Sequence, residues 1–454
     1  MRIRLIQPGR FGENGKPRKF SKLLMPASTM PTLAALTPDG IDVAITDDYV
    51  QEVDFDEDAD LIGVTAMTCQ APRAYQIADE FRKRGKPVVM GGIHASFRPE
   101  EALEHCDAVV MGEAEDIWPR VIDDAERGRI EKTYRAETRP DMTRLAVQRF
   151  DLLDFSRYVT PPFSKTPCIP IQATRGCPNR CDFCSVHPFL GRTIRRKPIE
   201  NVVREIEAYK PSLFFFSDDN IGANPAYARD LFRAITPLRT RWACFMTTAI
   251  MKHPRLIELA AESGCHETFV GVESISKDSL SAVHKGFNRI DEYKNLFERL
   301  AKVGILSQAS FVFGFDGDTL DTLRRTIDLV LEWDVKFLYI FFLLPLPGTV
   351  TYDRMTVEGR IARSDWSLYD GLNSVLRYKA LDENELEEVI WESYQRFYSL
   401  RHIARMAWRF KRQYLSFFPR DNGIEDVFFQ LCLRRAVRNR RNPFMLGLER
   451  KNGR

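Results

Sequence analysis

The segment Arg175-Gly176-Cys177-Pro178-Asn179-Arg180-Cys181-Asp182-Phe183-Cys184 sets three thiols at C-x3-C-x2-C spacing. Cysteine binds metal as the thiolate and is a soft ligand. Thiols this close in sequence converge only when the loop wraps around one object. An iron–sulfur cluster is such an object, because each thiolate can take a different iron. Three thiolates leave one iron open to a non-cysteine ligand, and an open position is where chemistry occurs. His187 follows Cys184 at C-x2-H spacing, so Cys177, Cys181, Cys184 and His187 also fit a tetrahedral Cys3His zinc site. Structural zinc usually draws its ligands from two separated knuckles, and this run is continuous, which favours the cluster.

The elements around the loop favour it too. Residues 170–174 read as a strand that ends at the loop, and 199–209 as the helix that follows. A metal loop between the carboxyl end of a strand and a helix is where α/β folds place catalysis. From Pro170 a βα series is predicted, with strands at 170–174, 213–217, 242–248, 268–272, 308–313 and 337–343. Helices are predicted near 199–209, 227–235, 255–263, 291–303 and 319–333. Six units are too few for a closed eight-stranded barrel but suffice for a partial (β/α)6 TIM-type barrel. Its strand ends are polar: Ser217-Asp218-Asp219-Asn220, Thr247-Thr248, Glu273-Ser274, Gly314-Phe315-Asp316-Gly317-Asp318 and Pro345-Leu346-Pro347-Gly348-Thr349. One polar strand end is usually a cap. Several on one rim are better explained by a shared ligand.

The first part of the chain alternates strands (3–7, 42–46, 61–65, 87–90, 108–111) with helices. In 71–84, Ala74, Ile77, Ala78 and Phe81 recur at the helical period. Short apolar strands joined by helices predict a doubly wound, Rossmann-like parallel sheet. Ligands sit beyond the carboxyl ends of such strands. The ends here read Thr65-Ala66-Met67, Gly91-Gly92-Ile93-His94 and Gly112-Glu113-Ala114-Glu115. Glycine pairs allow close approach of a bulky ligand or simply make tight turns, and spacing does not separate the two.

The expected organisation is therefore a Rossmann-like domain over 1–131, a linker over 132–167, the partial barrel over 168–361, and a helical region with a basic tail over 362–454. In the helical region Leu386, Ile390, Tyr394 and Phe397 mark one apolar face; Ile403, Met406, Ala407, Phe410 and Tyr414 mark the next. Arg401, Arg405, Arg409 and Arg412 lie opposite the second. That face reads either as a solvated helix surface or as a contact for anionic lipid. The 454 residues carry a formal net charge of only +3, which gives no nucleic-acid signature. Nine cysteines, three of them in one loop, suit a reducing compartment rather than a disulfide framework. No signal-like or membrane-spanning run is present, so a cytoplasmic protein, at most peripheral to a membrane, is expected.

The cysteine loop with Phe183 before its last cysteine, the polar rim and the N-terminal sheet together resemble the radical S-adenosylmethionine superfamily, specifically the class with an N-terminal cobalamin-binding-type domain. The resemblance covers nearly all of residues 1 to about 400. It implies that Cys177, Cys181 and Cys184 hold a [4Fe-4S] cluster whose open iron takes the amino and carboxylate groups of S-adenosylmethionine. One-electron cleavage then yields a 5′-deoxyadenosyl radical that abstracts hydrogen from an unactivated carbon. It further implies that Phe183, Gly314 and Phe315 lie by the adenine, that Ser217, Asp218 and Asp219 meet the methionine amino group, and that Glu273 accepts the ribose hydroxyls. Leu344–Thr349 matches the sixth strand's signature.

In the N-terminal half, Thr65, Met67, Gly91, Gly92, Gly112 and Glu113 match the loops that embrace cobalamin. The Asp-x-His-x-x-Gly cobalt-ligand motif is absent, since Pro8-Gly9-Arg10-Phe11-Gly12 follows the first strand. Cys69 and His94 are near, but each reads better as a packed residue. The stretches 183–198 and 365–370 and the helical tail resemble the subset that includes the hopanoid C-2 methylases. The implied activity is cobalamin-dependent C-methylation of a small, hydrophobic or lipid substrate, with an electron donor such as flavodoxin or ferredoxin as partner. Radical cyclisation, rearrangement or coupling without methyl transfer is the alternative. A zinc-stabilised, non-enzymatic binding protein is a more remote one.

Overall fold

The computed structural model describes all residues except 13, 161–163, 418–422, 442–447 and 450–454, and the side chains of 410–417, 423–428 and 448–449. Two parallel sheets of six strands each organise the chain. The first contains β1 (Arg2–Gln7), β2 (Asp42–Asp47), β3 (Leu61–Thr65), β4 (Val88–Gly91), β5 (Ala108–Met111) and β6 (Thr133–Arg135). Its spatial order is β2-β1-β3-β4-β5-β6. The order reverses between β1 and β3, which opens a crevice beyond the strands' carboxyl ends. Both faces are covered. Ile62, Val64, Met90 and Val109 pack on one side with Ala74, Ile77, Ala78 and Phe81 of the helix Ala71–Lys83, while Leu61, Val89, Ala108 and Val110 pack on the other. Continuous apolar strands are what two-sided burial requires.

β6 lies inside the segment read as linker. It has one apolar residue, Tyr134, between Thr133 and Arg135, so the sequence carries no strand signal there. Pairing with β5 makes it a strand. Other described residues of 132–167 pack against both sheets: Phe150 is fully buried in the second core, and Tyr158 donates to Asp47 Oδ2 at 2.8 Å.

The second sheet contains β7 (Ile169–Ile171), β8 (Leu213–Phe216), β9 (Arg241–Thr247), β10 (Cys265–Glu273), β11 (Leu306–Phe313) and β12 (Phe337–Phe342) in the simple order β12-β11-β10-β9-β8-β7. Sequential parallel strands with helical crossovers form the partial barrel. Phe214, Phe216, Trp242, Cys244, Val270 and Val272 point outward into a core shared with the crossover helices. The alternate residues Phe215, Phe245, Phe269 and Tyr339 therefore line the concave face.

The helical region begins later than the sequence reading placed it. Helix Glu383–Phe397 is the first α-helix after Val357. The intervening 358–382 forms turns and an antiparallel bridge, Ile361 to Leu376. This stretch lacks helical periodicity because it crosses the junction between the two sheets. The helix buries Leu386, Ile390, Tyr394 and Phe397, and the backbone N–H of Ile340 donates to the Tyr394 hydroxyl at 2.8 Å. Strand β12, at the sheet's end, is thereby covered. Ile403 and Met406 are buried and Ala407 is half-buried, while Phe410, Arg412 and Tyr414 lie outside the described side chains.

Candidate active site

The carboxyl ends of the two sheets face each other. Four contacts between loops that follow strand ends show this. Arg10, after β1, donates to Asp370 Oδ2 at 2.7 Å. Glu101, on the helix Pro99–His105 beyond β4, accepts from Trp366 Nε1 at 2.7 Å. Phe97 lies against the backbone of Gly348, after β12, where a Cβ would strike its ring. Glu113 and Glu115, after β5, bind Arg175 at the start of the cysteine loop.

The loop itself is tightly specified. Gly176 has φ +98°, and a Cβ there would lie 2.6 Å from the Thr193 carbonyl, so only glycine fits. Cys177 N–H donates to the Gly191 carbonyl at 3.2 Å, and Cys184 N–H to the Cys181 carbonyl at 3.0 Å. Burial pushes the Cys181 thiol up to about 11 and the Cys184 thiol up to about 12; Cys177 adds to both and Lys285 opposes. The three thiols are thus mutual neighbours. Three neighbouring thiols on one continuous loop suit thiolates that each take a different iron. His187 is half-buried; burial and then Arg192 lower its pKa, Asp182 opposes, and Arg180 adds to the lowering.

The two predicted aspartates behave differently. Asp218 is 0% exposed, and both its oxygens are used. It accepts from Ala173 N at 3.0 Å, from Thr174 Oγ1 at 2.5 Å and from Thr174 N. It clamps the chain just before the cysteine loop and is not free to meet an amino group. Asp219 keeps one carboxylate oxygen, Oδ2, buried and without a partner among the described residues. Burial raises its pKa to about 6, against a hydrogen bond from the Gly176 backbone and the charge of Arg175. An orphaned buried carboxylate oxygen beside Cys177 fits an ammonium group. Ser217 stands half-buried before them, its N–H donating to the Ile171 carbonyl at 3.0 Å.

Glu273 ends β10 at φ +68°, a left-handed position for a non-glycine residue, where the pairing register slips. Its buried carboxylate accepts from Lys285 Nζ. Lys285 is itself buried, and burial is outweighed by Glu273, Cys181 and Cys184, which raise its pKa. Its ammonium also stands 5.7 Å from the Phe183 ring centroid. The sequence reading missed Lys285; His284-Lys285-Gly286 has no motif of its own. Phe183 and Phe315 pack with centroids 5.9 Å apart. Asp318 fixes the neighbouring turn by accepting from Gly314 N and Phe315 N, each at 3.0 Å.

In the facing sheet, two of the residues matched to cobalamin contacts serve the protein instead. Glu113 accepts from Arg175 Nη1 at 2.6 Å, from Arg195 Nη2 at 2.7 Å and from Arg139 Nη1 at 3.0 Å. Burial alone would raise its pKa; Arg195 and Arg175 overcome that and hold it low. Gly92 has φ +92°, and a Cβ would lie 2.6 Å from Thr65 Oγ1 and 2.8 Å from Ala66 N, so this glycine lets two loops of the same sheet meet. The others fit a ligand better. Gly112 opens onto free space and Gly91 has only ordinary contacts. Met67 is 62% exposed and is the one exposed residue in 61–70. His94 is buried, with Nε2 3.0 Å from the Tyr75 hydroxyl, and is a packed residue; burial raises the Cys69 thiol.

Sequence comparison agrees with this division. Residues 171–330 match the radical SAM superfamily and residues 26–122 the B12 binding domain. The chain is 33% identical over 337 residues to the bacteriochlorophyllide d C-12(1)-methyltransferase of Chlorobaculum tepidum, covering 72% of each. It is 30% identical to that organism's bacteriochlorophyllide d C-8(2)-methyltransferase, covering 82% of this chain and 85% of the relative. The hopanoid C-2 methylase of Rhodopseudomonas palustris is 27% identical, over 75% of this chain and 66% of that one. In fold, the chain resembles the radical S-adenosylmethionine methyltransferase TsrM of Kitasatospora setae with TM-score 0.67 and 17% identity, over 97% of this chain and 99% of that one.

The protein belongs to the radical S-adenosylmethionine superfamily, in the class that carries a B12-binding domain. Within it, the chain is a cobalamin-dependent C-methylating enzyme whose cofactors are a [4Fe-4S] cluster, S-adenosylmethionine and cobalamin.

Proposed function

We propose that the enzyme methylates a carbon on a large apolar ring system, of chlorophyll-type tetrapyrrole rather than hopanoid class. The observation that carries this is an aromatic belt across the concave face of the second sheet. Phe215 and Phe245 meet edge-to-face at 4.9 Å, Phe245 and Phe269 at 5.4 Å, and Phe269 stacks on Tyr339 at 5.6 Å. Phe245 is 37% exposed, although its neighbours on the strand are buried. An accessible row of flat rings offers apolar area and stacking to a flat, apolar ligand. The two bacteriochlorophyllide methyltransferase relatives support the tetrapyrrole class.

Bound together, the cofactors supply a 5′-deoxyadenosyl radical and a transferable methyl group. In this reading the chain's residues hold and screen them. Cys177, Cys181 and Cys184 bind the cluster. Asp219 Oδ2 accepts from the amino group of S-adenosylmethionine, and Glu273, held by Lys285, faces the ribose. Phe183 and Phe315, with the Gly314 backbone, flank the adenine. Asp218 and Asp318 fix the two turns that present them. Gly91, Gly112 and Met67 face the corrin, with Thr65 supporting the turn from below. The domain limits that fit are 1–135 and 168–357, joined by 136–167.

The exposed side of the helix Leu400–Phe417 carries Arg401, Arg405, Arg409 and Trp408, the last 78% exposed. A tryptophan among arginines fits the interface of an anionic membrane, where an apolar substrate would partition. No helix among the described residues is long and apolar enough to cross a membrane.

The test is anaerobic reconstitution with cobalamin, then incubation with S-adenosylmethionine and either bacteriochlorophyllide d or a hopanoid. A product heavier by one methylene, with S-adenosylhomocysteine and 5′-deoxyadenosine, is expected from the tetrapyrrole. Methylation of the hopanoid alone would overturn the substrate class.

A further inference from the structure

The strands of the second sheet carry partly exposed polar residues at Arg241, Thr247, His266, Glu267, Gln308 and Tyr339. All but one are engaged within the protein. Thr247 Oγ1 accepts from Asn220 Nδ2 at 3.2 Å, and Arg241, His266, Glu267 and Tyr339 each interact with another residue. Gln308 has no side-chain partner among the described residues. It is also the one residue of β11 that is not buried.

The neighbours of Gln308 fix where its amide sits. Ala309, Phe311 and Phe313 pack into the core shared with the crossover helices, so strand alternation turns Gln308 to the concave face. In the pairing register it lies opposite Phe269 of β10. Phe269 and Tyr339 stand on the strands either side of β11, yet their rings stack with centroids 5.6 Å apart and planes at 24°. Strands two places apart are separated by about 9–10 Å. The two rings therefore lean over β11, beside Gln308. The carboxamide is an uncommitted hydrogen-bonding group set into the aromatic belt.

While the belt is open, water satisfies that amide. Once a flat ring covers the belt the water leaves, and the amide keeps a hydrogen bond only if the ring supplies one. A ring bearing a carbonyl oxygen does so. An all-hydrocarbon ring leaves the protein's own polar group buried and unpaired, which discriminates more strongly than a change in apolar contact.

We propose that Gln308 is a specificity-determining residue, whose side-chain N–H donates to a carbonyl oxygen on the flat ring of the substrate. It selects an oxygen-bearing ring system over an all-hydrocarbon one of similar size. This inference rests on the tetrapyrrole reading above.

The experiment uses reconstituted holoenzyme, wild type, Q308M and Q308E. Each is given a chlorin that carries a ring ketone, and the same chlorin with that ketone reduced to a methylene. Dissociation constants come from equilibrium dialysis. The readout is the ratio of the two affinities, because the differing hydrophobicity of the ligands cancels when ratios are compared between proteins. In Q308M, similar in volume but without the amide, the preference for the ketone is expected to fall about ten- to a hundredfold, the size of one buried amide left unpaired. Q308E keeps the shape but as a carboxylate has no proton to donate, so it should lose the preference as well. The same ratio in wild type and in either folded variant overturns the proposal. Binding of neither chlorin by wild type overturns the tetrapyrrole reading instead, so the two failures are distinguishable.

Discussion

Arg175 Nη1 lies 2.6 Å from Glu113 Oε2, and through this pair the residue that opens the cysteine loop is bound to the loop that follows β5 of the facing sheet. Glu115 binds the same guanidinium, and Arg195 and Arg139 complete the cluster. The side chains of Arg175 and Glu113 are 11% and 4% exposed, so the pair is shielded from solvent and weakly screened by salt. The two cofactor regions are thereby tied together at the residue that opens the thiol loop.

Replacing Glu113 by Ala leaves three arginines facing one another without their common acceptor. Breaking a buried pair by removing one partner costs about 3–5 kcal/mol. Glu113→Ala should lower the thermal midpoint sharply, while Glu113→Gln, which keeps the shape and some hydrogen bonds, should lower it less. If the junction also aligns the cofactors, Glu113→Gln should form more 5′-deoxyadenosine per methylated product than wild type. An unchanged ratio in a folded variant would show that the cluster serves stability alone.

A second staple gives a pH signature. Glu101 accepts from Trp366 Nε1 at 2.7 Å; burial opposes its ionisation, but His94, Trp366 and Arg98 bring its pKa down to about 2. A carboxylate whose folded pKa is depressed adds stability that is present above its unfolded value, near 4.5, and is lost as pH falls toward 2. Allowing for its partial exposure, the contribution is about 2 kcal/mol. Urea unfolding between pH 6 and 3 should show a steeper acid loss in wild type than in Glu101→Gln. Parallel curves would contradict the assignment.

Lys285 bridges Glu273, twelve residues before it, and the thiol loop, which is far from it in sequence. Lys285→Met removes the cation and leaves Glu273 buried without its partner, which costs about 1–3 kcal/mol at that carboxylate. S-Adenosylmethionine binding, measured by titration of the reconstituted protein, should weaken about ten- to a hundredfold, the equivalent of that cost. Iron and sulfide content should stay at the wild-type level, because all three cysteines remain. Loss of iron together with binding would make Lys285 part of the cluster's support and not of the cofactor's.

The legibility of this chain follows how local each signal is. The β3 limits, Leu61–Thr65, are those read from the sequence, because an unbroken apolar run is itself the strand signal in a two-sided sheet. β6 is hidden in the sequence because three residues with one apolar side chain become a strand only by pairing with β5. The thiol loop was readable because its chemistry lies in one continuous run. Glu113 reads as a cofactor contact because it follows Gly112; in the fold it binds Arg175 and Arg195, 62 and 82 residues away. Asp218 and Asp219 are adjacent and chemically identical in the sequence, and only the fold shows that one is consumed by Ala173 and Thr174 while the other keeps an open oxygen.

The aromatic belt gives a prediction that separates substrate binding from radical generation. Phe245 lies between Phe215 and Phe269, and its ring is the most open of the row. Phe245→Ala removes an accessible flat surface without touching the cysteine loop or the residues assigned to S-adenosylmethionine. Stacking and apolar contact of one aromatic ring contribute about 1–3 kcal/mol. The KM for a tetrapyrrole substrate should therefore rise about ten- to a hundredfold, while cleavage of S-adenosylmethionine in the absence of substrate continues at the wild-type rate. Phe245→Leu, apolar but not flat, should fall between the two. A normal KM in Phe245→Ala would place the substrate away from the belt and remove the observation on which the apolar ring system rests.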